Sequence, residues 1–437
     1  MMEQLLDLLL DNFQLNFGQL SDAAKQRLKT NASQLWFRYI CDFFISSFII
    51  APCVISFWRG VWDYSAIYLQ ERYFNGDCYK TNLTCLVIGC IGVFLIQYNH
   101  ETIRTHLANF KATSCPSSVR RTGRFVVISR LFSVFWGFVD IYYWKAVWDG
   151  VDCYFGKSIE TGTATLVLGL LVLAAFKSLR SASSVPAGFT LDDVANCCHA
   201  NTFLQTKNTD PFFKRILDTS GSVFLEFFVI LIWHGLWSLL DGYSEEYGVE
   251  MYSATSAYFS LWVGILSNVF VFTLQFGYSY YVKTMPDKCI KSWILAYIFG
   301  TLFSMLCIFS SVNTFRGYWY ILDVYFHADS VYESSLIHGQ IYAALLLIIL
   351  HAGCSLHAGI FTDVSQEAGG NMIEYYYSSY FCIKDTEAQF GNTLMIRQNK
   401  IRHPNSLPLL VITEVPSQDT MDEPAQVENG YLSSEPS

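Results

Sequence analysis

The stretch 58–68, WRGVWDYSAIY, returns three times along the chain, as WKAVWDGVDCY at 144–154, WHGLWSLLDGY at 233–243 and FRGYWYILDVY at 315–325. The shared pattern is aromatic, basic, small, any residue, Trp, three residues, Asp, one residue, Tyr. Successive copies are offset by 86, 89 and 82 residues, enough for two membrane crossings each. Two crossings return the chain to its starting side, so the repeats are parallel and any symmetry axis lies along the membrane normal.

On a helix the first aromatic, the central Trp and the Asp fall at i, i+4 and i+8, with the basic residue at i+1, so all four share one stripe. Arg59 is then one turn from Trp62, Lys145 from Trp148, His234 from Trp237 and Arg316 from Trp319, which predicts cation–π contacts within each copy. The basic residue and the Asp of one copy are seven residues apart, about 10 Å along the axis. Asp152, Asp241 and Asp323 are therefore expected to bond a neighbouring repeat or a Trp indole N–H. The first copy has Ala66 at this position, and only the first two copies carry the extra Asp63 and Asp149. The small residue (Gly60, Ala146, Gly235, Gly317) predicts a close helix approach beside the basic one. Two readings of the block stand: an interfacial aromatic belt whose charges tie four hairpins together, or four stripes lining an outer vestibule or ligand cavity.

The rest of the 437 residues suits a membrane. Hydrophobic residues make up 52%, aromatic residues 17% and charged residues only 15%, and mean hydropathy is +0.29. Soluble domains are nearer a quarter charged. Uncharged runs of about 17 to 25 residues cross the hydrocarbon, and eight candidates are found at 43–57, 83–98, 125–144, 163–176, 222–240, 258–278, 292–315 and 337–360. The expected fold is an all-α integral membrane protein of eight transmembrane helices built from four parallel two-helix repeats. Residues 1–34 form an amphipathic cytoplasmic segment, 35–361 the membrane domain, 362–403 an aromatic-rich cytoplasmic segment and 404–437 a disordered acidic tail. The N-terminus lacks a basic n-region and does not read as a signal peptide.

Orientation follows from Lys and Arg. The N-terminal segment, the loops after the second, fourth and sixth segments and the C-terminal segment together hold 21, while the other four loops hold six against thirteen acids. Both termini are thus expected in the cytoplasm. The sequon at Asn82 then lies outside as a possible glycosylation site, close to a segment start, and the one at Asn31 inside.

Net charge is −9 and six acids lie beyond His403 with no Lys or Arg, which argues against nucleic acid as a partner. The thirteen cysteines show no CxxC pair and read as packing residues; whether the outer Cys78, Cys85 and Cys153 form a disulfide stays open. Arg130 and Glu226 are expected to face the bundle interior and pair. His338, His351 and His357 miss the i, i+3 or i+4 spacing of a metal pair on one helix, and Cys197-Cys198-His199 reads as an ordinary loop or a palmitoylation site. No Walker A, GxSxG or HExxH occurs. The expectation is no enzyme, no cofactor and no metal.

The four blocks on an eight-span chain with cytoplasmic ends resemble the Fuseless family of animal membrane proteins, over roughly 35–360. The resemblance implies a neuronal, presynaptic plasma-membrane protein that organises voltage-gated calcium channels at release sites and supports transmitter release. Its implied partners are presynaptic membrane or scaffold proteins, calcium channels among them, besides membrane lipid. No catalytic or ligand residues come with it. The alternative class is a transporter or channel whose polar outer vestibule is formed by the Trp, Asp and basic residues of the blocks.

Overall fold

The computed structural model describes residues 37, 40–112, 119–187, 202–250, 252–284, 293–326 and 332–357. The N-terminal amphipathic segment, Cys197-Cys198-His199, the 362–403 segment and the acidic tail lie outside the described residues. Those described are helical, without a strand among them. The helices are α1 (Ala51–Ser65), α2 (Cys78–Ala112), α3 (Val119–Phe155), α4 (Ile159–Ala175), α5 (Phe212–Glu246), α6 (Ala254–Thr284), α7 (Trp293–Phe326) and α8 (Tyr332–Ile349). Helix α1 is continued at both ends by wider π turns, Ser46–Ile50 and Ala66–Tyr73. The first of these precedes Pro52, whose ring would clash with the carbonyl four residues back in regular α geometry.

Six helical stretches among the described residues are long and apolar enough to cross a membrane: those containing α1, α2, α5, α6, α7 and α8. The eight crossings expected from sequence are not all of this quality. Helix α4 is apolar but spans only 17 residues, about 26 Å at helical rise, and α3 carries Arg130, Asp140, Lys145, Asp149 and Asp152 along its length. The last expected segment also ends early. Helix α8 stops at Ile349, and the chain then turns at His351 (φ 54°).

The blocks form the last turns of α1 with its π extension, α3, α5 and α7, ending at Tyr68, Tyr154, Tyr243 and Tyr325. These helices run on to Tyr73 (through the π turn), Phe155, Glu246 and Phe326, well past the uncharged runs. Charges that find partners inside the bundle need not end a helix. Helices α1, α3, α5 and α7 touch in that order and α7 closes back on α1, while α2 packs on α3, α4 on α5, α6 on α7 and α8 on α1. The chain's last described helix thus covers its first.

Apolar side chains face outward on the covering helices: Leu83, Val87 and Ile91 on α2, Leu168 and Leu171 on α4, Phe259, Trp262 and Leu266 on α6, Tyr342 and Leu345 on α8. The interior holds Arg59, Gln97, Asp140, Lys145, Glu226, His234, Asn268, Asn313 and Arg316, each at most 3% exposed. This inverted pattern fits lipid as the solvent, where polar groups must be satisfied within the protein. Small residues bring the layers together. A methyl group on Gly317 would lie 2.6 Å from the Leu261 backbone, and one on Gly60 2.8 Å from the Leu336 carbonyl.

Two segments after covering helices fold back under the centre. Beyond α4, Lys177 takes φ 53° and Ser178 N–H bonds Leu173 O at 2.8 Å; beyond α8, His351 takes φ 54° and Ala352 N–H bonds Leu347 O at 2.9 Å. Each then forms a short 3-10 turn, Leu179–Ala182 and Gly353–Leu356. Trp233 Nε1 donates to Ala182 O at 2.8 Å and Trp58 Nε1 to Leu356 O at 3.1 Å. Farther along, Asp218 on α5 accepts from Thr202 Oγ1, Leu204 N, Thr206 N and Thr206 Oγ1, which anchors the 202–206 segment.

Candidate functional site

The first aromatic of each block lies on the bundle axis. Trp58 meets Trp144 at 5.1 Å between ring centroids, Trp144 meets Trp233 at 5.7 Å, Trp233 meets Phe315 at 5.0 Å, and Phe315 returns to Trp58 at 6.4 Å. One helical turn farther out the four block tryptophans form a second ring. Trp62–Trp148, Trp148–Trp237, Trp237–Trp319 and Trp319–Trp62 lie at 5.9, 5.7, 6.0 and 6.1 Å. Every one of these eight contacts is edge-to-face, the arrangement the aromatic quadrupole favours. The two quartets fill the axis. An interfacial belt would instead turn these rings outward to the headgroups, so the belt geometry is replaced by a central plug.

Outside the plug, each basic residue reaches toward the preceding block around the ring. Arg59 Nε lies 2.6 Å from Asp323 Oδ1, Arg316 Nε 2.7 Å from Asp241 Oδ1, and His234 Nε2 3.0 Å from Asp152 Oδ1. The fourth link would join Lys145 to position 66, which is alanine. Lys145 Nζ instead bonds Asp149 of its own helix at 2.6 Å and sits 5.0 Å over the Trp62 ring. The extra carboxylate of the second block thus compensates for the one missing from the first. Asp63, the other extra acid, lies 3.6 Å from Arg59 and accepts from Tyr332 Oη at 3.1 Å.

The cation–π contacts expected within each copy take other partners. Lys145 lies over Trp62 of the preceding block, Arg59 over Tyr332 and Arg316 over Tyr320, and the His234 ring meets Trp148 at 5.1 Å. In the second and third blocks the residue one position along from the first aromatic points sideways and reaches the neighbouring stripe, whereas Arg59 meets a ring on α8 and Arg316 a tyrosine one turn on in its own block rather than Trp319. Arg316 gains further bonds to Ser256 Oγ at 2.8 Å and to Ser260 Oγ on α6, and Tyr320 Oη donates to Asp241 while accepting from Trp237 Nε1 at 3.1 Å. Arg59, Lys145, His234 and Arg316 side chains are 1–4% exposed, whereas Asp152, Asp241 and Asp323 are 13–15% exposed. Lys157, 76% exposed, lies 3.6 Å from Asp152. The protein around it withdraws some solvent and works to lower its pKa, but Asp152, Tyr252 and Asp149 outweigh that and hold it above the ordinary lysine value.

Arg130 and Glu226 take different partners and do not pair with each other. Arg130 Nη2 lies 2.7 Å from His351 Nδ1, while Glu226 neighbours Asp140 and Gln97. Alignment of Trp144 with Trp233 sets Glu226 level with position 137, seven residues or about 10 Å along the axis from Arg130. The three histidines of the last expected segment diverge: His338 bonds Ser334, His351 meets Arg130, and His357 stacks on Trp136 at 3.9 Å. Among the described residues no group of three His, Cys, Asp or Glu is placed to hold a metal.

Tyr320, Tyr332, Ser256 and Ser260 complete the charged ring from positions that do not repeat between blocks. Ser256 and Ser260 carried one signal, an i, i+4 spacing on the covering helix. The Fuseless family's model matches residues 38–356, and the chain belongs to the Fuseless family. Neither a curated protein nor a solved structure matches it.

Proposed function

We propose that this Fuseless-family chain is a multi-pass neuronal membrane protein that organises presynaptic calcium channels and supports neurotransmitter release, with no catalytic step of its own. The family carries the synaptic part of this reading. The preference for an organiser over a transporter rests on the closed axis. Two edge-to-face quartets with centroids 5.0–6.4 Å apart occupy it, so an axial solute path would require eight rings to move.

The reading includes eight crossings in four parallel hairpin repeats, both termini cytoplasmic, and the plasma membrane of the presynaptic terminal. It is supported by the 21 to 6 division of Lys and Arg and by the way α2 and α3 pack along each other. Recruitment falls to the cytoplasmic loops and the acidic tail, whose run LPLLVITEV at 407–415 can add as a strand to a partner's sheet. The partners are membrane lipid and presynaptic membrane or scaffold proteins, not nucleic acid.

A transporter or channel with an outer vestibule is the second reading. It is favoured by one feature, the partly open carboxylates of Asp152, Asp241 and Asp323 above buried cations. One cell assay separates the two by scoring calcium-channel clustering and transmitter release. Deleting 404–437 is expected to leave surface delivery intact and weaken clustering. Normal clustering after the deletion, together with lost activity in a folded Asp152→Asn, Asp241→Asn, Asp323→Asn variant, rejects the organiser.

A further inference from the structure

Helices α2 and α3 run antiparallel with a register that four contacts fix independently. Gly92 faces Val139, Gly89 faces the Tyr143 backbone, Asn82 faces Gly150, and the Tyr79 ring meets the Tyr154 ring at 5.2 Å. Stepping outward along α2 advances α3 nearly residue for residue, which sets Cys78, the first residue of α2, level with Cys153. The glycines let the two backbones approach closely, so the facing positions at this end are near enough for direct side-chain contact. Asn82, one turn from Cys78, donates from Nδ2 to Cys153 Sγ at 3.4 Å, and Cys78 is an electrostatic neighbour of the Cys153 thiol. Both residues are partly exposed, whereas Cys85 lies deeper and is buried.

We propose that Cys78 and Cys153 form a disulfide that clamps the outer ends of α2 and α3. This rests on the outward orientation of that hairpin tip, since disulfides persist in the secretory lumen and outside the cell. The oxidant is a protein disulfide of the secretory pathway. One cysteine thiolate attacks a sulfur of that disulfide, forming a mixed disulfide and releasing one donor thiol. The second cysteine thiolate then displaces the donor's other sulfur. The Cys78–Cys153 Sγ–Sγ bond forms, the donor S–S bond is reduced to two thiols, and the two protons end on the donor.

The test uses the full chain made in animal cells, lysed into N-ethylmaleimide and digested without reductant. Mass spectrometry is expected to find a Cys78–Cys153 linked peptide that reductant releases and that Cys85→Ser retains. Cys78→Ser and Cys153→Ser are each expected to free the remaining partner for alkylation and to lower the melting midpoint in detergent. Alkylation of both cysteines in the unreduced wild-type chain overturns the proposal, whether or not either variant folds. A Tyr247→Cys variant, at the exposed turn after α5, identifies the reason. Labelling of Tyr247→Cys on intact cells by an impermeant maleimide confines such a failure to the disulfide; no labelling brings down the outward orientation as well.

Discussion

Arg59 Nε and Asp323 Oδ1, 264 residues apart in the chain, lie 2.6 Å from each other and join α1 to α7 where the ring of inner helices closes. The same basic-to-acid link recurs between Arg316 and Asp241 and between His234 and Asp152, and fails only at Ala66. There Lys145, 3% exposed, depends on Asp149. Breaking a buried pair from one side costs about 3–5 kcal/mol. The 22% exposure of Asp149 places Asp149→Ala at the lower end. Adding Ala66→Asp supplies a carboxylate from the neighbouring block and is expected to restore part of the loss. Thermal unfolding of both variants in detergent checks this, and no recovery in the double variant would remove the idea that position 66 faces Lys145.

Trp237 and Trp319 each touch two other members of the outer quartet. Truncating either to alanine is expected to cost about 3–5 kcal/mol, as for a core aromatic. Wild-type expression and thermal stability of Trp237→Ala and Trp319→Ala would count against a structural quartet and favour a ligand-lined vestibule.

Tags fused at residue 1 and after Ser437 are expected to stain only after cells are permeabilised, because with eight crossings 21 of the 27 Lys and Arg in the segments outside the spans would fall on the side of both termini. Surface staining of either tag on intact cells overturns the cytoplasmic placement and the eight-crossing count with it.

Asp77 caps α2, accepting from Lys80 N at 3.1 Å and from Lys80 Nζ at 2.9 Å. These bonds to Lys80 hold its carboxyl below the ordinary aspartate value. A depressed folded pKa contributes stability above the unfolded value that is lost as pH falls through the folded one. The first turn of α2 is therefore expected to loosen in acid, and Asp77→Asn is expected to remove that dependence. Hydrogen exchange at the Lys80 and Thr81 amides, corrected for intrinsic exchange rates, reads this directly. Equal protection at neutral and acid pH in the wild-type chain would refute it.

What lipid and helix periodicity impose locally was legible in the residues alone. Apolar runs too poor in charge for water become helices, because backbone groups in hydrocarbon must bond within their own segment. The spacing of Trp62, Trp148, Trp237 and Trp319 from the basic and acidic residues of their blocks marked a single stripe before any contact was known. Small residues at Gly60 and Gly317 marked close approaches. Which stripe meets which was a different matter. The order of α1, α3, α5 and α7 around the axis, with α8 covering α1, decides that Arg59 meets Asp323 and that Lys145 lies over Trp62. Arg130 and Glu226 show the limit most plainly. Both are buried polar groups in the interior, yet the axial register of α3 against α5 gives Arg130 to His351 and sets Glu226 beside Asp140. Burial tendency is a property of one residue and its near neighbours in sequence. Partner choice depends on the rotation and height of whole helices, which only the packed bundle sets.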